Sequence, residues 1–111
     1  MAGEYNIIAD QGSDFSKQIT ITEDGVLVPN TGFSARGEIR TDKTPTGTVV
    51  ETFTCAFDAD GVVVFSLTHV QTAAVAAGVY WYDIEIYADD ASSVVRYLEG
   101  KFTLNQEITR A

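Results

Sequence analysis

Residues 53–67, FTCAFDADGVVVFSL, decide the fold class of this chain. Large apolar residues alternate with small or polar ones in both halves of the stretch: Phe53, Cys55 and Phe57, then Val63, Phe65 and Leu67. Between the halves lies Asp58-Ala59-Asp60-Gly61, a composition typical of a tight turn. Strict alternation indicates strands with one buried face, so this stretch predicts an antiparallel β-hairpin.

The same period of two recurs on both sides of this hairpin. Residues 15–21, 33–39, 80–86 and 98–104 each place apolar residues or glycine at every second position, with Lys17 as the exception. Two further turn sequences separate such runs, Glu23-Asp24-Gly25 and Asp89-Asp90-Ala91-Ser92, and the adjacent pair Val94-Val95 suggests a β-bulge or a doubly buried strand start. About seven short strands predict an all-β, immunoglobulin-like antiparallel β-sandwich, with a small open β-barrel as the alternative.

One segment departs from the β pattern. Thr68 and Gln71 have the spacing of a helix capping box, an Ala-rich stretch follows, and Gly78 is placed to end a helix of about two turns. Residues 1–13 are predicted to form an extended N-terminal arm or an edge strand, and residues 14–111 a single β-sandwich domain. On this interpretation, removing Met1 to Gln11 would leave the domain folded.

The charge balance excludes several classes of partner. The 111 residues include 16 Asp and Glu against 7 Lys and Arg, a formal net charge of −9. Nucleic-acid binding and attachment to an anionic membrane both depend on clustered basic residues, so neither is expected. No apolar stretch is long enough for a transmembrane helix or a signal-peptide core.

The reactive residue types do not form a recognisable catalytic or metal-binding motif. His69 and Cys55 are each alone, and we interpret them as an exposed first-turn residue and a small core residue. The Asp58–Gly61 segment resembles the start of a calcium loop, but a strand follows it directly, which favours a simple turn. We therefore expect no enzyme activity, no catalytic or metal-binding residues and no cofactor.

The densest aromatic cluster is Tyr80-Trp81-Tyr82, with Tyr87 nearby. Alternation places Trp81 and Tyr87 on one strand face together with Asp83 and Glu85. That face is either covered by the N-terminal arm or exposed as an aromatic and acidic patch for a protein partner. A weaker alternative is sugar stacking on Trp81, as in a small carbohydrate-binding or hydrolytic module.

Four stretches carry a resemblance to small structural proteins of tailed bacteriophages: YNIIADQGSDFSKQITITEDG, TGFSARGEIR, LTHVQTAAVAAGVYWYDIEI and VVRYLEGKFTLNQEITR. In order and spacing they resemble the immunoglobulin-like N-terminal domain of phage baseplate upper proteins, over nearly the whole chain. The resemblance implies a non-enzymatic β-sandwich that assembles into the virion in the host bacterial cytoplasm.

From this resemblance we expect a multimeric tail, baseplate or fibre-junction component, with a capsid decoration (cement) protein on the phage head as the alternative. The expected partners are other virion proteins, including copies of the same chain. The residues expected to contact them are Tyr5, Ile7 and Ile8 of the arm and Trp81 and Tyr87 of the sheet.

Overall fold

The computed structural model describes residues 3–44 and 47–106, and two β-sheets packed face to face account for most of them. Residues 1–2 of the predicted arm, and residues 45–46 and 107–111 of the predicted domain, lie outside the described ranges. The elements in chain order are β1 (Gly3–Glu4), β2 (Ile7–Asp10), β3 (Phe15–Thr20), β4 (Thr22–Glu23), β5 (Val26–Leu27), β6 (Phe33–Arg40), β7 (Val49–Thr52), β8 (Thr54–Ala59), β9 (Val62–Leu67), α1 (His69–Ala74), β10 (Gly78–Ala88) and β11 (Val94–Asn105).

The large sheet has the order β1-β11-β10-β6-β7, with β2 also pairing with β11, and the small sheet has the order β3-β9-β8. Because the two sheets remain separate, the predicted β-sandwich is confirmed and the small open barrel is wrong. The strands outnumber the seven predicted, since β1, β4 and β5 are two-residue pieces and β7 was not predicted. The pairing is also not wholly antiparallel, because β1 and β2 run parallel to β11.

Aromatic side chains from both sheets fill the space between them. Phe53 lies at the crossing from β7 to β8 and packs edge-on against Phe65, with ring centroids 5.1 Å apart. Tyr82 and Phe102 complete this cluster from the large sheet, at 6.0 Å from Phe53 in each case. The predicted core residues Phe53, Phe65, Tyr82, Ile84 and Phe102 are buried, whereas Phe33 and Cys55 are only half-buried. The alternation therefore assigned the inward faces correctly.

The short helix fixes the turn between β2 and β3. Thr68 caps α1 through a complete capping box with Gln71, as predicted, but α1 ends at Ala74 and Gly78 instead begins β10. The hydroxyl of buried Thr72 accepts a hydrogen bond from the Gly12 amide (3.0 Å) and donates one to the Ser13 carbonyl (2.9 Å). Through these bonds α1 holds the chain where it leaves the large sheet for the small one.

The N-terminal segment is an integral edge of the large sheet and not a separate arm. Ile7 and Ala9 are buried in the core, at 4% and 7% exposure. At the gap between β1 and β2 the Tyr82 hydroxyl donates a 2.6 Å hydrogen bond to the carbonyl oxygen of Tyr5. A chain that lacked residues 1–11 would lose these contacts, so we expect the truncation to destabilise the domain rather than leave it unaffected.

Candidate functional site

The outer face of the large sheet gathers most of the chain's basic residues together with Trp81. We call it the banded face, and it consists of five cross-strand rows of outward side chains. From one end of the strands to the other, the rows are Ile8, Thr103 and Val79; Arg40, Trp81 and Lys101; Glu38, Asp83, Glu99 and Glu4; Arg36, Glu85 and Arg96; and Ser34, Tyr87 and Val94.

The Trp81 row is positively charged. In register, Trp81 lies between Arg40 on β6 and Lys101 on β11. The Nζ atom of Lys101 is 5.6 Å from the centroid of the indole ring, and Nζ of Lys43, from the loop after β6, is 5.3 Å from it. Such cation–π contacts are worth about 0.5–1 kcal/mol each at exposed sites. Two ammonium groups therefore pack against the indole, and neither forms an ion pair within residues 3–44 and 47–106.

The next row is acidic. Glu38, Asp83 and Glu99 lie directly opposite one another on β6, β10 and β11, and Glu4 on β1 extends the row. Like charges in direct cross-strand register destabilise a sheet, because their Cβ atoms are about 5 Å apart. Half-burial of Asp83, reinforced by Glu85 and only partly opposed by Arg96, raises the pKa of its carboxyl group.

Arginines from neighbouring rows partly neutralise this acidic row. Arg40 pairs with Glu38 at 2.9 Å, and Arg96 pairs with Asp83 at 3.1 Å. Among residues 3–44 and 47–106, Glu99, Glu4 and Lys101 belong to no ion pair. The side of the acidic row nearest β1 thus keeps two uncompensated carboxylates.

A β-bulge places Arg96 on this face. Ile84 pairs with Leu98 but Glu85 pairs with Arg96, so Tyr97 is the extra residue. Without the bulge, strict alternation would turn Arg96 inward, since Leu98 and Gly100 face the core. The bulge instead turns the Tyr97 ring toward the core, against which it packs. The Tyr97 hydroxyl donates a 2.6 Å hydrogen bond to Glu23. The bulge therefore lies after Val94-Val95, the pair at which one was predicted.

The loop after β6 lies against the banded face, and together they form a cleft of about 290 Å³. Arg40 anchors the loop by donating a 2.7 Å hydrogen bond to the Gly47 carbonyl. Its lining includes the loop residues Asp42 and Lys43 and the sheet residues Trp81 and Asp83. The cleft therefore presents both signs of charge beside the Trp81 indole.

The residues expected to contact partners are not all on one surface. Ile8 and Trp81 lie in adjacent rows of the banded face, Ile8 at 71% exposure, and Tyr87 lies at its far end with the Arg36 guanidinium 4.7 Å from its ring centroid. Tyr5 lies at the sheet edge, where Nζ of Lys17 is 4.7 Å from its ring centroid. Ile7 is in the core, so the expectation that it contacts a partner is wrong: its side chain is the inward member of the Ile7–Ile8 alternation.

The face is also more basic than the aromatic and acidic patch predicted. Five of the chain's seven Lys and Arg residues lie on it or over it: Arg36, Arg40, Lys43, Arg96 and Lys101. The alternation of Arg36, Glu38 and Arg40 opposite the core residues of β6 was visible in the sequence. The sequence did not show which of them would neighbour Trp81, because that depends on the pairing register between strands.

The reactive residues lie apart from a catalytic arrangement. His69 is exposed, and its backbone amide and Nδ1 both bond the Asp14 carboxylate, at 2.7 and 3.0 Å; the His69 hydrogen bonds lower the pKa of Asp14. Cys55 is partly buried, and burial raises the pKa of its thiol to about 11, so the thiol stays protonated. Within the described ranges, no three His, Cys, Asp or Glu side chains are grouped to hold a metal ion. The described helical residues include no segment with the length and hydropathy of a membrane span.

Comparison with solved structures supports the fold class. CopC from Methylosinus trichosporium OB3b is similar at a TM-score of 0.50 and 14% identity, over 95% of this chain and 89% of CopC. Fibronectin(III)-like modules of Clostridium thermocellum CbhA share 17% identity at a TM-score of 0.45, over 95% of this chain and 92% of the module. The second Ig domain of the mouse polymeric immunoglobulin receptor shares 12% identity at 0.41, over 97% of this chain and 100% of that domain.

The fold is a β-sandwich, similar to that of CopC. At these identities the similarity concerns the fold alone, and a fold of this type accommodates many unrelated functions. No protein-family model and no curated protein sequence matches the chain.

Proposed function

We propose that this protein is a non-enzymatic structural subunit of a tailed-phage virion, part of the tail, baseplate or fibre junction, and that its banded face binds neighbouring virion chains. The observation that carries the proposal is the concentration of basic residues around Trp81 on one sheet face of a chain with net charge −9. Trp and Arg are enriched among the residues that dominate binding energy at protein interfaces. The sequence resemblance to phage structural proteins supplies the virion as the setting.

The charge distribution supports a role in assembly. Outside the banded face, most charged side chains of the described surface are carboxylates. Their mutual repulsion keeps free subunits apart in solution. The banded face is where another chain can approach with less repulsion and with aromatic surface to bury. A hydrolytic role has less support, since the His69–Asp14 pair lies on the exposed surface at α1 and not in the cleft at Trp81.

The experiment has two stages. Purified virions are first analysed by mass spectrometry and by immunogold electron microscopy with an antibody against this chain, and we expect label at the tail or its baseplate. Label over the head would assign the capsid decoration role instead. A chain absent from purified particles would contradict a virion role altogether.

The second stage tests the face. Phage lacking the gene are propagated on cells that supply either wild-type chain, Trp81→Ala or the control Val70→Ala, which shortens an exposed valine on α1. We expect Trp81→Ala to lower incorporation into particles while its thermal unfolding stays close to that of wild type. Equal incorporation of all three chains would place the interface elsewhere on the molecule.

A further inference from the structure

Two adjacent rows of the banded face carry opposite charges. The Trp81 row carries Arg40 and Lys101, with Lys43 above the ring, and the adjacent row carries Glu38, Asp83 and Glu99. Consider two copies placed face to face about a two-fold axis that runs across the strands, midway between these two rows. Each strand then lies over its own counterpart, running in the opposite direction.

In this arrangement opposite charges meet on each of the three central strands. Arg40 faces Glu38 of the other copy on β6, and Lys101 faces Glu99 on β11. On β10, Trp81 with the Lys43 ammonium faces Asp83. Because a two-fold interface is reciprocal, every pair occurs twice. We therefore infer that the partner of the banded face is a second copy of this chain, bound face to face with the charge rows offset by one.

The alternative two-fold arrangement is unfavourable. If the axis ran along the strands, each row would face itself, and the row containing Asp83 and Glu99 would meet the same carboxylates. Like-charge juxtaposition across an interface costs several kcal/mol. The charge pattern therefore favours an axis across the strands over an axis along them.

The size of the face indicates a weak dimer. With the axis across the strands, four of the five rows overlap those of the other copy. Five strands spaced about 4.8 Å apart, and four rows spaced about 6.7 Å apart, give on the order of 600 Å² per copy. Stable interfaces bury about 800 Å² per partner, and strand twist limits close contact to the strands nearest the axis. We expect monomers in dilute solution and dimers where subunits are concentrated, as in a virion. The inference rests on the proposal that the banded face is an interface.

The test is a charge swap, because Lys101 and Glu99 lie in facing positions and neither belongs to an ion pair within the described part of the chain. Glu99→Lys leaves lysine at both positions and Lys101→Glu leaves glutamate at both, so each should weaken self-association at least tenfold in sedimentation equilibrium. A mixture of the two variants should associate, and so should the double variant carrying both changes. The control Asp58→Lys alters the net charge as Glu99→Lys does but lies on β8 of the small sheet, and it should not weaken association.

Trp81, the chain's sole tryptophan, reports the same event by its emission, which should change as association proceeds. The inference is overturned if wild-type chain stays monomeric at concentrations of several hundred micromolar, or if the mixed single variants associate no better than either alone. If the chain is found in virions and the charge swap fails, the face-to-face dimer is wrong and the virion role stands. If the dimer forms and the chain is absent from virions, the virion role is wrong and the face-to-face dimer stands.

Discussion

Gly100 on β11 allows the N-terminal segment to dock against the large sheet. A Cβ atom added at Gly100 would overlap the carbonyl oxygen of Tyr5, which is backbone and cannot move aside as a side chain can. We therefore expect Gly100→Ala to displace the connection between β1 and β2. The nearby Gly3→Ala is the matched control, since its added Cβ would meet nothing closer than 3.6 Å.

The cost of Gly100→Ala follows from what the displaced segment loses. Burial of the Ile7 side chain contributes about 2–3 kcal/mol and the Ala9 methyl about 0.8 kcal/mol. The hydrogen bond from the Tyr82 hydroxyl to Tyr5 adds about 1 kcal/mol. Chain entropy regained on release offsets part of this sum, so we expect the free energy of unfolding to fall by up to about 4 kcal/mol.

Urea denaturation of Gly100→Ala and Gly3→Ala measures this difference, and hydrogen exchange locates it. The amides of residues 7–10 should lose protection in Gly100→Ala while those of β9 keep theirs. If Gly100→Ala unfolded like wild type and residues 7–10 stayed protected, the tight approach of the two backbones would not be what seats the N-terminal segment.

Three further predictions concern stability. Phe65→Ala should lower the free energy of unfolding by about 3–5 kcal/mol, because Phe65 is fully buried, whereas the surface change Val70→Ala should stay within about 0.5 kcal/mol of wild type. Thr72→Val should cost about 1 kcal/mol, because the Gly12 amide and the Ser13 carbonyl of the β2–β3 turn would lose their hydrogen bonds to the hydroxyl. Thr72→Ser, which keeps the hydroxyl, should cost less, and similar losses for both would refute the role of the hydroxyl. Asp83→Asn should raise stability by about 0.5 kcal/mol at pH 7, because a carboxyl whose pKa is raised in the folded state destabilises that state once it ionises. That gain should disappear below pH 3.8, where the carboxyl is protonated in both states, and a pH-independent difference measured by urea denaturation would contradict it.

Local pattern was sufficient to predict the faces of the strands and the helix cap. Alternation correctly turned Phe65, Tyr82 and Phe102 inward, and the capping box at Thr68 formed as its spacing indicated. The pattern gave no prediction for Arg96, which a bulge at Tyr97 turns to the outer face. Nothing in residues 96–98 alone distinguishes a bulge from continuous pairing, because the bulge is a feature of the register between β10 and β11.

The banded face lay beyond sequence reasoning for a similar reason. Each row combines residues from strands far apart in the chain, such as Arg40, Trp81 and Lys101. Their neighbourhood depends on register, and a shift by one residue would turn every one of them to the other face. The N-terminal segment was ambiguous because Ile7 and Ile8 are adjacent and equally apolar. Only its parallel pairing with β11 decides which of them is buried.

The parallel pairing of β1 and β2 with β11 also determines how the domain would respond to mechanical load. Gly3 lies beside Leu98 and Asp10 beside Asn105, so tension applied at Gly3 and Asn105 pulls neighbouring strands in opposite directions along their own length. The interstrand hydrogen bonds then carry the force together and must break together. A hairpin pulled from its open end, in contrast, separates one pair of residues at a time. Tension between Gly3 and Asn105 therefore loads this sandwich in shear, the geometry in which a β-sheet resists extension best.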